Sequence, residues 1–323
     1  MMKVRMLVLL DILHDKTDEE HILNSQSLLQ ELNKRGLTSD RRSVYRDVEA
    51  LAEYGFDVVT TAKGFYLRNR RFTLAEIMLL ISAVQAAPFV TEQKTQALME
   101  KLLSFLSEYQ RDGLKNASNI SGVKFKNEEV YRTIEMINYG IASGKTISFL
   151  YYKRSIMRRD VVQRRGRRYV VSPYAMVWVQ DRYYLISNMK GKEGLTHFRL
   201  DRIRDVRIED GNIRPANEVS EYEEGFDAAD YASKCLNMFG GEIKKITLRC
   251  HMDLLNEFFD RFGDDIPVRK DGDEYFIARI EAAASMGLVN WVSQFGARVE
   301  VLEPEELRKE VGEYLAKAAD LYR

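Results

Sequence analysis

The sequence predicts an α+β protein of more than one domain, and three observations carry that reading. Its 323 residues exceed what one core ordinarily organises, so two or three domains are expected. Apolar residues recur at helical spacing through the N-terminal third, alternate at strand spacing in the middle, and mix both patterns toward the end. A hydrophobic content of 45% with 30% charged residues describes a soluble globular chain and excludes a disordered one. No apolar run approaches roughly 18 residues, so no membrane span is expected. Met1-Met2-Lys3-Val4-Arg5 leads into an apolar stretch that contains Asp11 and lacks a cleavage site, which predicts a domain helix rather than a signal peptide. Cys235 and Cys250 have no CxxC spacing, so a reduced, cytoplasmic setting is expected, with both as small core residues.

The first helix is predicted from Lys3 to His14, with Val4, Leu7, Val8 and Ile12 as its apolar face. Ser25 caps a second helix that runs to about Arg35 and turns Leu28, Leu29 and Leu32 inward; Gly36 breaks it. After the turn Leu37-Thr38-Ser39, with Ser39 or Asp40 as N-cap, a third helix buries Val44, Val48 and Leu51 at i, i+4 and i+7. Arg41, Arg42, Ser43, Tyr45 and Arg46 fall off that stripe near the helix start, where a helix-turn-helix meets base edges and phosphates. Beyond Gly55, Phe56 to Thr60 and Lys63 to Leu67 alternate as two strands joined near Ala62 to Gly64, a β-wing. Residues 1–71 are therefore predicted to be a winged helix-turn-helix whose partner is double-stranded operator DNA. The domain as a whole is nearly neutral, with 12 Lys/Arg against 11 Asp/Glu, which would suit an ordinary solvated helix face. Lys34 to Arg46 holds five basic residues and one acidic residue, and that distribution favours DNA.

Residues 72–126 are predicted as a helical spacer. Thr73 caps a helix with Ile77, Leu80, Ile81 and Val84 inward, ended by Pro88. A second helix is expected over Glu92 to Tyr109, burying Leu98, Leu102, Leu103 and Leu106. A polar linker through Asp112-Gly113, Asn116 to Asn119 and Ser121-Gly122 follows. Such a spacer suits the contact of a two-fold homodimer, the usual way for helix-turn-helix proteins to reach two half-sites.

Residues 127–214 open with a helix from Glu128 to Ala142, stopped by Gly144. Strands follow over Thr146–Tyr152, Arg159–Arg165, Arg168–Val179, Arg182–Met189, Thr196–Leu200 and Ile203–Ile208. Tight turns between antiparallel strands predict a small, strongly bent β-barrel. Its strands carry Tyr151, Tyr152, Tyr169, Tyr174, Trp178, Tyr183, Tyr184 and Phe198, interleaved with Arg182, His197, Arg199 and Arg202. Rings that stack on bases and arginines that pair with phosphates suit a nucleotide or a short single strand. The neutral total charge hides an asymmetry: residues 145–214 hold 17 Lys/Arg against 7 Asp/Glu, and residues 215–323 hold 13 against 23. The basic part is expected to attract an anion, and the two parts each other.

Residues 240–323 follow the order βαββαβα, which suggests a ferredoxin-like α+β sandwich, with Pro304 opening the last helix and Trp291 in the core. Enzymatic classes fare worse. His14, His21, His197 and His251 show no HxxxH or HExxH spacing, and neither GxxxxGK[ST] nor GxGxxG occurs, so no catalytic residue, metal or cofactor is expected.

Ser172-Pro173-Tyr174-Ala175-Met176-Val177-Trp178-Val179-Gln180-Asp181-Arg182-Tyr183-Tyr184-Leu185, followed by Thr196-His197-Phe198-Arg199-Leu200-Asp201-Arg202-Ile203, resembles a WYL domain. The eponymous Trp-Tyr-Leu stands here as Tyr183-Tyr184-Leu185, whereas the FRLDRI string is intact. Ser43 to Leu51 resembles the winged helix that commonly precedes this domain in bacterial transcription regulators, and the C-terminal part resembles their extension. The resemblance implies an Sm-like barrel that senses a ligand, in some members a single-stranded nucleic acid, and a homodimer whose DNA affinity the ligand alters. Tyr152, Tyr174, Arg182, Tyr184, His197, Arg199 and Arg202 are then expected to hold an anionic, base-containing effector. His197 would gain charge beside its phosphate and strengthen binding toward pH about 6. The competing expectation has Arg199 and Arg202 pair with Asp201, Asp205 or the acidic C-terminal part. A regulator that joins operator DNA to an effector is the main expectation. An accessory RNA- or ssDNA-binding protein that modulates a nucleic-acid enzyme is the alternative.

Overall fold

A computed structural model describes residues 2–114, 124, 129–157, 159–223 and 225–323. The chain divides into two units, Met1–Lys126 and Asn127–Arg323. The first begins with α1 (Met2–Lys16), α2 (Ser25–Lys34) and α3 (Arg41–Tyr54), then the hairpin β1 (Val58–Thr61) and β2 (Gly64–Leu67). Leu9, Ile12 and Leu13 of α1, Leu28 and Leu32 of α2, and Val44, Val48 and Leu51 of α3 share one core with Phe65 and Leu67 of β2. The expected face of α1 needs correction: Val4 and Leu7 are 56% and 61% exposed. Met6 to Leu10 is apolar on every side of the helix, so periodicity alone does not select the side that is buried. The cap of α2 is Asn24 rather than Ser25, and its Oδ1 accepts the Ser27 N–H at 2.9 Å. Leu23 exchanges two backbone hydrogen bonds with Phe65, adding a third short segment to the hairpin. Gly64 permits that approach: it has φ +141°, and a Cβ there would lie 2.2 Å from the Leu23 carbonyl oxygen.

The spacer segment forms α4 (Leu74–Ala86), α5 (Glu92–Leu103) and α6 (Glu108–Leu114), with a capping box between Thr73 and Glu76. The single helix expected over residues 92–109 is two. The Ser107 hydroxyl accepts the Gln110 N–H and Gln110 Oε1 accepts the Ser107 N–H, both at 3.1 Å, a capping box that starts a new helix. α6 is tied to α1 and to the turn after it. Lys16 donates to Glu108 at 2.5 Å, Arg111 pairs with Asp15, the Ser107 hydroxyl donates to Asp18 at 2.6 Å, and Tyr109 stacks on His21. Asp112-Gly113, expected in a linker, falls inside α6; Asn116 to Asn119, Ser121-Gly122 and Glu128 lie outside the described residues.

The second unit starts with α7 (Val130–Ser143), which ends on left-handed Gly144. Six strands follow: β3 (Lys145–Arg154), β4 (Asp160–Val162), β5 (Tyr169–Val179), β6 (Arg182–Met189), β7 (Thr196–Arg199) and β8 (Ile203–Asn212). Their order is β4-β3-β5-β6-β7, with β8 on β3, all neighbours antiparallel. Register shifts in β3/β8 and at Pro173/Ala175 of β5 curl this sheet over Ile137, Phe149, Val171, Leu185, Phe198, Leu200 and Ile203. The strand expected over Arg159–Arg165 is shorter, because Gln163–Gly166 turns with Arg164 and Arg165 at φ 52°. The Arg164 guanidinium lies 4.2 Å over the Tyr169 ring.

The segment after β8 supplies α8 (Ala228–Lys234) and the 3-10 turn Leu236–Met238. Tyr231, Cys235 and Met238 cover Ile186, with Val177, Val179 and Tyr184 alongside, so the sheet's second face is partly roofed. The remainder is β9 (Ile243–His251), α9 (Leu255–Phe262), β10 (Val268–Asp271), β11 (Tyr275–Ala283), α10 (Met286–Ser293), β12 (Val299–Glu303) and α11 (Glu305–Asp320). Its strands run β10-β11-β9-β12, antiparallel throughout, over a core of Ile246, Leu248, Phe258, Phe276, Leu288 and Val292. Among the described residues no helix is long and apolar enough to cross a membrane.

Candidate nucleic-acid interface

The start of α3 is held by Asp40. Its carboxylate accepts the Ser43 N–H at 3.0 Å and the Ser43 hydroxyl at 2.8 Å, which keeps the Asp40 carboxyl below its usual range. Ser43 itself is 5% exposed, so the expectation that it lies on the outer face is corrected: it completes the cap and accepts from Arg46 at 3.2 Å. Arg41, Arg42, Tyr45 and Arg46 are exposed and line one surface hollow. The Tyr45 ring meets Phe65 edge-on at 5.0 Å, and the Arg41 guanidinium sits 5.7 Å over that ring. The buried side of the same helix is fixed by Asp47, which takes two hydrogen bonds from Arg5 at 2.6 and 3.0 Å. Three cations and one phenol thus project from a short, anchored length of helix.

On the sheet of the second unit, Tyr183, Leu185 and Phe198 enter the core. By strand alternation Arg182, Tyr184, His197 and Arg199 lie on the opposite face, where Tyr184 pairs with Arg199 and Ile186 with His197. His197 is roofed: its Nδ1 meets the Met238 carbonyl at 2.8 Å and its Nε2 the Tyr231 hydroxyl at 3.0 Å. Burial pushes its pKa down, the Met238 bond only partly opposing, which works against the expected gain of charge at a ligand. Arg199 gives two hydrogen bonds to Asp201 at 3.0 and 2.9 Å, the local pairing that the competing expectation named. Arg202 approaches the Tyr151 hydroxyl, which also accepts the Arg199 backbone N–H at 3.2 Å. Arg199 and Arg202 therefore meet at Tyr151, with Tyr184 beside Arg199 in the sheet. Tyr174 and Tyr152 do not join them. The Tyr174 hydroxyl donates to the Arg214 carbonyl at 2.8 Å, and Tyr152 lies under Arg204 at 5.8 Å.

The WYL domain profile matches residues 132–208, and the WCX domain profile matches residues 245–319. The chain carries a WYL domain and a WCX domain. This WYL-domain protein is 22% identical over 298 residues to the uncharacterized HTH-type transcriptional regulator YobV of Bacillus subtilis (strain 168), covering 87% of this chain and 89% of that one. Two solved structures align with 99% of it at low similarity. One is proteasome accessory factor B/C (PafBC) of Arthrobacter aurescens, at 19% identity and TM-score 0.30; the chain spans 48% of that protein's length. The other is a CRISPR Cas-related protein, at 14% identity, TM-score 0.38 and 85% of its length.

Within the WYL domain the FRLDRI string divides its labour. Phe198, Leu200 and Ile203 are buried, Arg199 and Asp201 bond each other, and Arg202 reaches Tyr151. Tyr151 and Asp201 belong to this cluster but were absent from the expected set. Ring counting in β3 finds Tyr151, yet only the fold shows its hydroxyl emerging beside Arg199 and Arg202.

Proposed function

We propose that this WYL-domain protein is an effector-responsive transcription regulator. In this reading α3 binds operator duplex through Arg41, Arg42, Tyr45 and Arg46. An anionic nucleotide or a short single strand binds the WYL-domain cluster of Tyr184, Arg199, Arg202 and Tyr151, with Arg182 on the same face, and the chain acts as a homodimer. The carrying observation is the α3 start: three arginines and a tyrosine exposed together on a helix whose other side is locked by Asp47 and capped by Asp40. The likeness to an HTH-type regulator over most of both chains supports the same reading.

Fluorescence anisotropy of the full chain against duplexes tiled across its own upstream region tests it. Saturable binding of one tile over scrambled duplex is expected. Preference for ssDNA or RNA with no duplex preference would instead favour the accessory nucleic-acid-binding alternative. For the effector cluster, an Arg199→Ala, Arg202→Ala variant should lose binding of short ssDNA or nucleotide that the wild type shows. Equal binding by a variant of unchanged melting temperature removes the cluster from the reading.

A further inference from the structure

Arg261 lies in the last turn of α9, half-buried against the 3-10 turn Leu236–Met238. Its guanidinium gives one long hydrogen bond, 3.4 Å, to the Ser233 carbonyl, and among the described residues no carboxylate stands within ion-pair distance. Burial lowers its pKa, opposed only by the Cys235 thiol, which burial in turn keeps protonated. The contrast with other arginines is informative: Arg5, Arg168, Arg199 and Arg249 each meet an aspartate. Residues 215–323 hold 23 Asp/Glu against 13 Lys/Arg, so carboxylates are plentiful there, yet among the described residues none is placed at Arg261. A half-buried cation without a counter-ion is costly unless something else completes it.

Arg261 opens into a hollow of about 240 Å³ whose other polar walls are Gln180, Asn237, Asn290, Trp291 and Gln294. Among the described residues no acidic side chain lines it. Asn290 and Gln294 are four apart on and just after α10, hence on one side of it. Gln180 comes from the β5–β6 turn of the WYL domain and Asn237 from the connecting 3-10 turn. Every one of these side chains carries an N–H donor, and the amides supply no net charge. We propose that this hollow is an oxyanion site, in which Arg261 grips a phosphate group in bidentate fashion and the amides complete its hydrogen bonds. Its volume is below the roughly 300–1,000 Å³ of sites for drug-sized ligands, so it takes a single phosphate, free or at the end of a nucleotide, and no oligonucleotide. Because four segments contribute donors, an occupied site ties the WYL-domain turn to the WCX-domain helices. It shares no residue with the Tyr184, Arg199 and Arg202 cluster and stands or falls independently of it.

The chain has two tryptophans, so Trp178→Phe leaves Trp291 in the pocket wall as the sole indole reporter. In that background, inorganic phosphate, 5′-AMP and short oligothymidylate are titrated at constant ionic strength made up with chloride. Phosphate is expected to change Trp291 emission saturably. Arg261→Met should weaken this at least tenfold, Asn290→Ala should weaken it less, and Arg199→Ala, Arg202→Ala should leave it unchanged. Tighter binding of AMP than of phosphate assigns the group to a nucleotide; equal or weaker binding assigns it to the free ion. The proposal is overturned if phosphate gives no saturable response by emission or calorimetry, if oligothymidylate alone binds, or if folded Asn290→Ala and Arg261→Met proteins both bind as wild type does.

Discussion

Asp47 and His197 are polar side chains placed by partners far away in sequence, and each makes a measurable prediction. Arg5 and Asp47 are 42 residues apart, with side chains 16% and 8% exposed. Asp47→Ala leaves the guanidinium desolvated without its acceptor, and a loss of about 1–3 kcal/mol in urea unfolding is expected. A change within a few tenths would mean that the pair contributes nothing to the fold. For His197 the folded pKa is below the unfolded value of 6.5, so the unfolded chain takes up the proton first. Its neutral form therefore supports the fold above pH about 6.5, and that support drains away as pH falls below it. His14, also lowered by burial, adds to the same slope. His197→Gln should flatten, without abolishing, the loss of stability between pH about 6.5 and 5; an unchanged slope would contradict the buried neutral ring. Neither partnership is visible in sequence, since Tyr231 and Met238 lie 34 and 41 residues from His197. Ser43 was legible as a polar residue of α3 but not as part of the cap, because its proximity to Asp40 served both readings.

At the level of elements, agreement between independent local signals decided what the sequence revealed. The cap at Asp40, the stripe Val44, Val48 and Leu51, and the stop at Gly55 all point to one helix, and α3 runs Arg41–Tyr54. α1 offered no such agreement about its buried side, being apolar all round near its middle. The break between α5 and α6 was written in Ser107 and Gln110, a short capping signal inside a longer leucine repeat that masks it. α8 stayed hidden because only seven residues form it and its apolar partners belong to the WYL-domain sheet. Gly64 makes the sharpest element-scale prediction. Gly64→Ala forces a left-handed backbone and a clash with Leu23, so the β1–β2 hairpin should detach at a cost of about 1–3 kcal/mol. Hydrogen exchange at the Phe65 amide, which donates to the Leu23 carbonyl at 2.8 Å, would then accelerate. Retained protection would show that the hairpin does not need this close approach.

For the whole molecule, the proposed homodimer would join chains whose residues 145–214 are basic and whose residues 215–323 are acidic. Light scattering should give about twice the 37.5 kDa chain mass, and a monomer at micromolar concentration with and without DNA would rule the dimer out. In the proposed complex the α3 arginines meet a phosphate backbone and read bases beside it. The direct measurement is the affinity of the full chain for its own operator duplex across a salt series, for wild type and for Arg41→Ala, Arg42→Ala. Each phosphate contact contributes about 0.9 to the slope of log affinity against log salt. The double variant should form a weaker complex, with a slope reduced by about 1–2 where the arginines hold phosphates. Where one also reads a base, about 1–3 kcal/mol of preference over scrambled duplex should be lost. A double variant that folds as wild type does, binds the operator with equal affinity and keeps the same salt slope would contradict this arrangement.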